Sequence, residues 1–165
     1  MTGKAPDPPA PASESRRIAE RSVEALFAND PASSGLGIAI EEVGPGFARL
    51  RMTVGPHLLN GHGTCHGGFI FALADTAFAA ACNTYNSVTV AAAASIDFLA
   101  PAQAQDELTA EARELWRSKR SGIYEVKVSN QRGETVALFR GRSHCKGGPL
   151  VPGTQSGSGG GQARS

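Results

Sequence analysis

Gly55-Pro56-His57-Leu58-Leu59-Asn60-Gly61-His62-Gly63-Thr64-Cys65-His66-Gly67-Gly68, running straight into Phe69-Ile70-Phe71-Ala72-Leu73-Ala74-Asp75-Thr76-Ala77-Phe78-Ala79-Ala80-Ala81-Cys82, decides how the chain is read. The first half is polar and glycine-rich, the composition of a loop. The second half has no proline or glycine and is apolar at nearly every position, which predicts one long buried helix from residue 68 to about 85.

Such a helix needs a surface to bury itself against. Upstream, residues 36–43 and 47–54 alternate apolar and polar around Gly44-Pro45-Gly46, a hairpin signature. Downstream, 87–99, 108–117, 123–131 and 135–145 read as strands in direct succession, separated by Ala100-Pro101 and by short polar turns. Strands joined by tight turns leave no room for the crossover helices of a parallel sheet. The fold class is therefore α+β, one long central helix against a curved antiparallel sheet. A short amphipathic N-terminal helix over 15–29, with Ile18, Val23, Leu26 and Phe27 as its stripe, is expected to stop at Asp30-Pro31. Residues 1–14 and 149–165, rich in Pro, Ala, Ser and Gly, read as flexible tails around a single domain at 15–148.

With 165 residues, one core accounts for the chain. Sixteen basic and 15 acidic residues give a net charge of +1 with no basic stripe, which speaks against a nucleic-acid partner. The longest apolar run, 69–82, is interrupted by Asp75 and falls short of the roughly 20 residues of a membrane span, so no membrane partner is expected. The N-terminus lacks the apolar region of a secretory signal, and three cysteines without a CxxC pair suit neither a disulfide framework nor a zinc ribbon. A reducing cytoplasm is the expected compartment.

Asp75 is the residue that asks for an explanation. Helical spacing puts it on one face with Phe71, Phe78, Ala79 and Cys82, and a carboxylate among apolar neighbours is costly unless paired or put to use. A structural Asp and a catalytic one are both consistent with that placement. Upstream, Gly67 and Gly68 open the helix, where the first N–H groups lack internal acceptors and a backbone without Cβ admits close approach, the makings of an oxyanion hole. His57, His62 and His66 lack a supporting carboxylate or thiolate cluster, so no metal is expected. Asn60 reads as a turn residue or, like His66, as a neutral group orienting a carbonyl or water. Cys65 beside His66 is read as inert packing rather than a thiolate nucleophile. The basic turn at 117–120 reads as a solvated hairpin tip. There is no GxSxG elbow, phosphate loop or dinucleotide fingerprint, and no cofactor is implied.

Leu59-Asn60-Gly61-His62-Gly63-Thr64-Cys65-His66-Gly67-Gly68, then Leu73-Ala74-Asp75-Thr76-Ala77-Phe78, Ser95-Ile96-Asp97-Phe98-Leu99 and Ala137-Leu138-Phe139-Arg140-Gly141-Arg142-Ser143-His144, together resemble the phenylacetate-degradation (PaaI-type) acyl-CoA thioesterases of the hotdog fold, over about residues 20–148. The resemblance implies a homodimer joined sheet edge to sheet edge, assembling further to a homotetramer, with active sites at the dimer interface. Carried over, Gly67 supplies the N–H that polarises the thioester carbonyl, and Asp75 of the other subunit is general base or nucleophile. Asn60 and His66 hold the thioester or the attacking water. Gly68, Phe69 and Phe71 are expected along the acyl pocket, which the family suits to aryl groups such as ring-hydroxylated phenylacetyl-CoA. Arg140, Arg142 and Lys146 are the cations available to the CoA phosphates. Where some relatives place a water-positioning Ser or Thr, this chain has Ala91, and Thr89 is the nearest substitute. A non-catalytic acyl-CoA sensor and an acyl-thioester dehydratase or hydratase are the competing functions.

Overall fold

The structure is a computed structural model and describes residues 13–154; the expected tails at 1–12 and 155–165 lie outside the described residues. Ser13 caps the first helix, α1 (Glu14–Phe27), its hydroxyl accepting from the Arg16 N–H at 3.3 Å, and Ile18, Ala19 and Val23 turn inward. Asp30-Pro31 ends that helix and also starts another. The Asp30 carboxylate accepts from the Ser33 N–H at 3.0 Å, and Pro31 takes the first position of the short α2 (Pro31–Gly35). The strand expected from residue 36 therefore begins at Ala39.

There follow β1 (Ala39–Gly44), β2 (Phe47–Thr53), α3 (Gly67–Cys82), β3 (Thr89–Phe98), β4 (Glu107–Arg117), β5 (Ser121–Ser129) and β6 (Thr135–Cys145). All pair antiparallel in one sheet of order β1-β2-β4-β5-β6-β3. α3 carries the chain from β2 to the far edge and lies across the inner face of the sheet. Its Leu73, Ala77, Phe78 and Ala81 are fully buried, as are Leu50, Met52, Leu108, Tyr124, Val126 and Phe139 of the strands. The Phe78 ring sits 5.4 Å from Tyr124 and 5.8 Å from Phe139 between centroids. A Cβ on Gly141 would lie 2.9 Å from that ring, so glycine there is what lets helix and sheet approach.

The helix stops at Cys82 rather than near 85 because Asn83 intervenes. Its Nδ2 donates to the carbonyls of Ala79 (2.9 Å) and Thr89 (2.8 Å), and its Oδ1 accepts from the Thr89 N–H (3.0 Å). This ties the helix end to the start of β3, which opens at residue 89 rather than 87. On the outer face, Arg49 bridges Glu42 (2.9 Å) and Glu111 (3.1 Å) across three strands, a solvated charge ladder. Residues 147–154 fold back onto the domain, which corrects the expectation of a free tail from residue 149. The Val88 N–H donates to the Gly148 carbonyl at 2.9 Å, and Asn86 holds Val151 and Thr154.

Candidate active site

The loop before α3 is built on Asn60. Its Oδ1 accepts from the N–H groups of His62 (2.8 Å) and Thr64 (3.3 Å), its Nδ2 donates to Thr64 Oγ1 (3.1 Å), and its own N–H donates to the Thr64 carbonyl (2.8 Å). Asn60 is thus the turn residue of the loop, with one amide hydrogen left over. His66 caps α3 by accepting from the Gly68 N–H on Nδ1 at 3.0 Å, which leaves Nε2 facing outward as the donor. The Phe69 N–H turns back to the His66 carbonyl at 2.9 Å. Among the described residues only the Gly67 N–H of this first turn makes no hydrogen bond. It borders a cleft of about 380 Å³ lined by Thr64, Cys65, Ile70, Phe98, Leu99 and Pro101. Cys65 is buried there and its thiol is pushed up to about 11 by that burial, so it stays protonated at neutral pH and offers no nucleophile.

Asp75 lies half-buried in the middle of α3, and among the described residues it has neither a hydrogen bond nor an ion pair. Burial alone raises its carboxyl above the ordinary aspartate range. Phe71, one turn before it, stacks edge-on against Phe139 with centroids 5.4 Å apart. Cys82, two turns after it, is buried and pushed up to about 12, first by burial and further by the Asp75 charge. Eight residues of helix separate Gly67 from Asp75, about 12 Å at 1.5 Å per residue, so one chain does not bring them to one carbonyl.

The other expected substrate contacts are scattered in a single subunit. Gly68 is exposed, and Phe69 is half-buried with its ring edge-on to His66, 5.9 Å between centroids. Thr89 opens β3, its hydroxyl donating to the Ser87 carbonyl at 2.8 Å, and Ala91 pairs with Ser143 on the inner side of the sheet. Arg140 and Arg142 occupy exposed alternate positions of β6, on the side of the sheet away from α3. Among the described residues no three His, Cys, Asp or Glu side chains gather as a metal shell.

Of the cations that do converge, Lys146 alone was expected to serve the CoA phosphates from the sequence. Arg117, Lys119, Arg120 and Lys146 line a cavity of about 590 Å³ at the C-terminal end of α3, with Cys82, Tyr85, Ser87, Thr89, Tyr124 and Cys145. The turn at 117–120 is an exposed hairpin tip, as expected, and it also forms one wall of this cavity. Arg117 lies over the Tyr85 ring at 3.7 Å, and its buried Nε pairs with the Glu114 carboxylate at 3.4 Å.

A long helix lying across one face of a curved antiparallel sheet is the architecture of the hotdog fold. The thioesterase superfamily profile matches residues 62–137. The acyl-coenzyme A thioesterase PaaI of Escherichia coli K12 is 48% identical over 131 residues, 79% of this chain and 94% of its own length. The solved structure of the E. coli PaaI protein from the phenylacetic acid degradation operon superposes with a TM-score of 0.80 at 47% identity, covering 81% of this chain and 97% of that one. A mutant of the phenylacetic acid degradation protein PaaI from Thermus thermophilus gives 0.67 at 39% identity, with 70% and 98% covered. The chain belongs to the PaaI-type acyl-CoA thioesterases, and its activity is the hydrolysis of acyl-CoA thioesters.

Proposed function

We propose that this thioesterase acts on aryl-acetyl-CoA esters such as ring-hydroxylated phenylacetyl-CoA, at two equivalent sites of a homodimer that pairs further into a homotetramer. The observation that carries the site is the half-buried, partnerless Asp75 on the same helix as the unengaged Gly67 N–H, but about 12 Å from it. A dimer resolves that separation by setting Gly67 of one subunit against Asp75 of the other. β3 supports the same arrangement: it is a ten-residue sheet edge, largely exposed on both faces.

In this reading the thioester carbonyl accepts from the Gly67 N–H, with the His66 and Asn60 donors beside it. Asp75 takes the proton of the attacking water, or attacks the carbonyl itself. The tetrahedral oxyanion collapses, the C–S bond breaks and CoA leaves as thiolate; water attack gives the free acid directly, whereas attack by Asp75 leaves an acyl-aspartyl anhydride that a water then hydrolyses to the free acid. Desolvation suits Asp75 to this task by making it a stronger base than an exposed aspartate. Phe71 and Phe69 flank the acyl group near Gly68. The cavity of Arg117, Lys119, Arg120 and Lys146 receives the CoA phosphates. Arg140, Arg142 and Thr89 are the secondary candidates. Three free thiols accord with a reducing cytoplasm.

The test is complementation with Asp75→Asn and Gly67→Pro. Proline is tolerated at the first helical position and removes the N–H, and His66 (φ −64°, ψ 133°) already has the conformation that precedes proline; the added Cβ comes 3.0 Å from the Phe98 ring, which must shift slightly. Each variant alone is expected to be inactive with phenylacetyl-CoA. Unfolded and refolded together, they form mixed dimers with one intact site each, restoring about a quarter of wild-type activity. A mixture as inactive as its parts would show that both groups act within one chain.

A further inference from the structure

Asn86 has an unusual position for a residue outside both the sheet and the active site. It is 1% exposed and holds the left-handed conformation at φ +54°, uncommon outside glycine. All three of its side-chain hydrogen bonds go to one segment. Oδ1 accepts from the Val151 N–H at 2.8 Å, and Nδ2 donates to the carbonyls of Val151 (3.1 Å) and Thr154 (2.9 Å). The residues on either side of it, Tyr85 and Ser87, line the cationic cavity, as do Lys146 and Gly147 at the root of the segment that it grips. Gly147 (φ +82°) and Gly148 (φ +83°) form a sharp reversal between β6 and that segment, in a conformation that favours glycine. Two further ties cross the same seam: Lys146 N–H to the Val88 carbonyl at 2.8 Å and Val88 N–H to the Gly148 carbonyl at 2.9 Å.

We propose that Asn86 is a positioning residue for substrate recognition: by clamping residues 147–154 it fixes the cavity wall that carries Lys146 and Gly147, and so tightens binding of the polyanionic end of the CoA ester. The assignment rests on the reading of that cavity as the seat of the CoA phosphates. The segment after β6 is then a working part of the binding site, and its loosening weakens the hold on phosphate without touching the chemical step at Asp75.

The experiment compares phenylacetyl-CoA with the phenylacetyl thioester of N-acetylcysteamine, which has no phosphate, in the full-length enzyme. Asn86→Gly keeps the backbone conformation and deletes the clamp. Val151→Pro removes the N–H that Asn86 Oδ1 accepts and alters only the strap, which guards against a variant that fails to fold. Both are expected to raise KM for the CoA ester about fivefold with kcat unchanged, the signature of lost uniform binding, and to leave the truncated ester as in wild type. A purely structural role would depress both substrates alike, and that result, or an unchanged KM, overturns the proposal. Lys119→Gln reads the cavity itself. If it separates the two substrates and Asn86→Gly does not, the clamp is refuted with the cavity intact; if it does not separate them, the cavity assignment fails and the clamp with it.

Discussion

Replacing Asp75 by Asn separates what this carboxylate does for the reaction from what it does to the fold. The amide keeps the shape of the side chain and loses its basicity and charge. A general base supplies about 10²–10⁴ in rate, so kcat for phenylacetyl-CoA is expected to fall by that factor, about 3–5 kcal/mol of transition-state stabilisation. Stability moves the other way. The native carboxyl is raised above its unfolded value by desolvation with no partner to offset it, so ionisation disfavours the native state. That penalty is absent below the unfolded value near pH 4 and grows as pH rises through the native one. A fully buried lone charge costs several kcal/mol; Asp75 is only half-buried and screened, so the variant should gain on the order of 1 kcal/mol at neutral pH, about 3 °C in Tm. Thiol release followed with a disulfide reagent and calorimetry at pH 4 and 7 measure both effects. Turnover within threefold of wild type, or a variant that is both inactive and less stable at pH 7, refutes the assignment.

Other expectations follow from single side chains. Cys65→Ala should retain turnover within about fivefold, because a thiol pushed up to about 11 is no nucleophile at neutral pH; loss of the thiol with loss of all activity would reverse that. Phe78→Ala removes a fully buried ring from between Tyr124 and Phe139 and should cost about 3–5 kcal/mol in urea unfolding. Asp106 is opposed by burial, but hydrogen bonds from the Gln103 N–H, Gln131 and Arg132 outweigh it and hold the carboxyl below the usual range. Its native value lies below the unfolded one, so its stabilisation is full above about pH 4 and is lost as pH falls further. Between pH 6 and 3, Asp106→Asn should therefore lose less Tm than the wild type.

The fold was legible where a period was long enough to read. Fourteen apolar-rich positions from Phe69 to Cys82 and the alternation of the first two strands are such signals, whereas α2, five residues long, is shorter than any helical period can reveal. Asp75 and Gly67 stood out because their local chemistry is anomalous for the helix that bears them. The cationic cavity did not, and a single irregularity explains why. Uniform alternation along β4 would turn Trp116 inward and Arg117 to solvent. The bulge between Glu114 and Trp116 reverses this, pairing Trp116 with Ile123 on the outer face and Arg117 with Gly122 on the inner one. Trp116 is accordingly 55% exposed. Arg140 and Arg142, on a strand without such a shift at those positions, keep the outward direction that alternation dictates.

β3 also bears on how readily this enzyme changes. Its bulge, between Ala91 and Ala93, leaves Ala91 and Ala94 on the inner side opposite Ser143 and Gly141, exposed in the subunit and free of its core. A larger side chain at either place displaces nothing that holds the subunit together, and exposed substitutions of that kind typically stay within about 0.5 kcal/mol. Substitutions along this strand therefore leave the fold of the single subunit clear of its stability threshold, and their cost falls on the proposed pairing of subunits. The run of alanines is a stretch where association, rather than the fold, can drift.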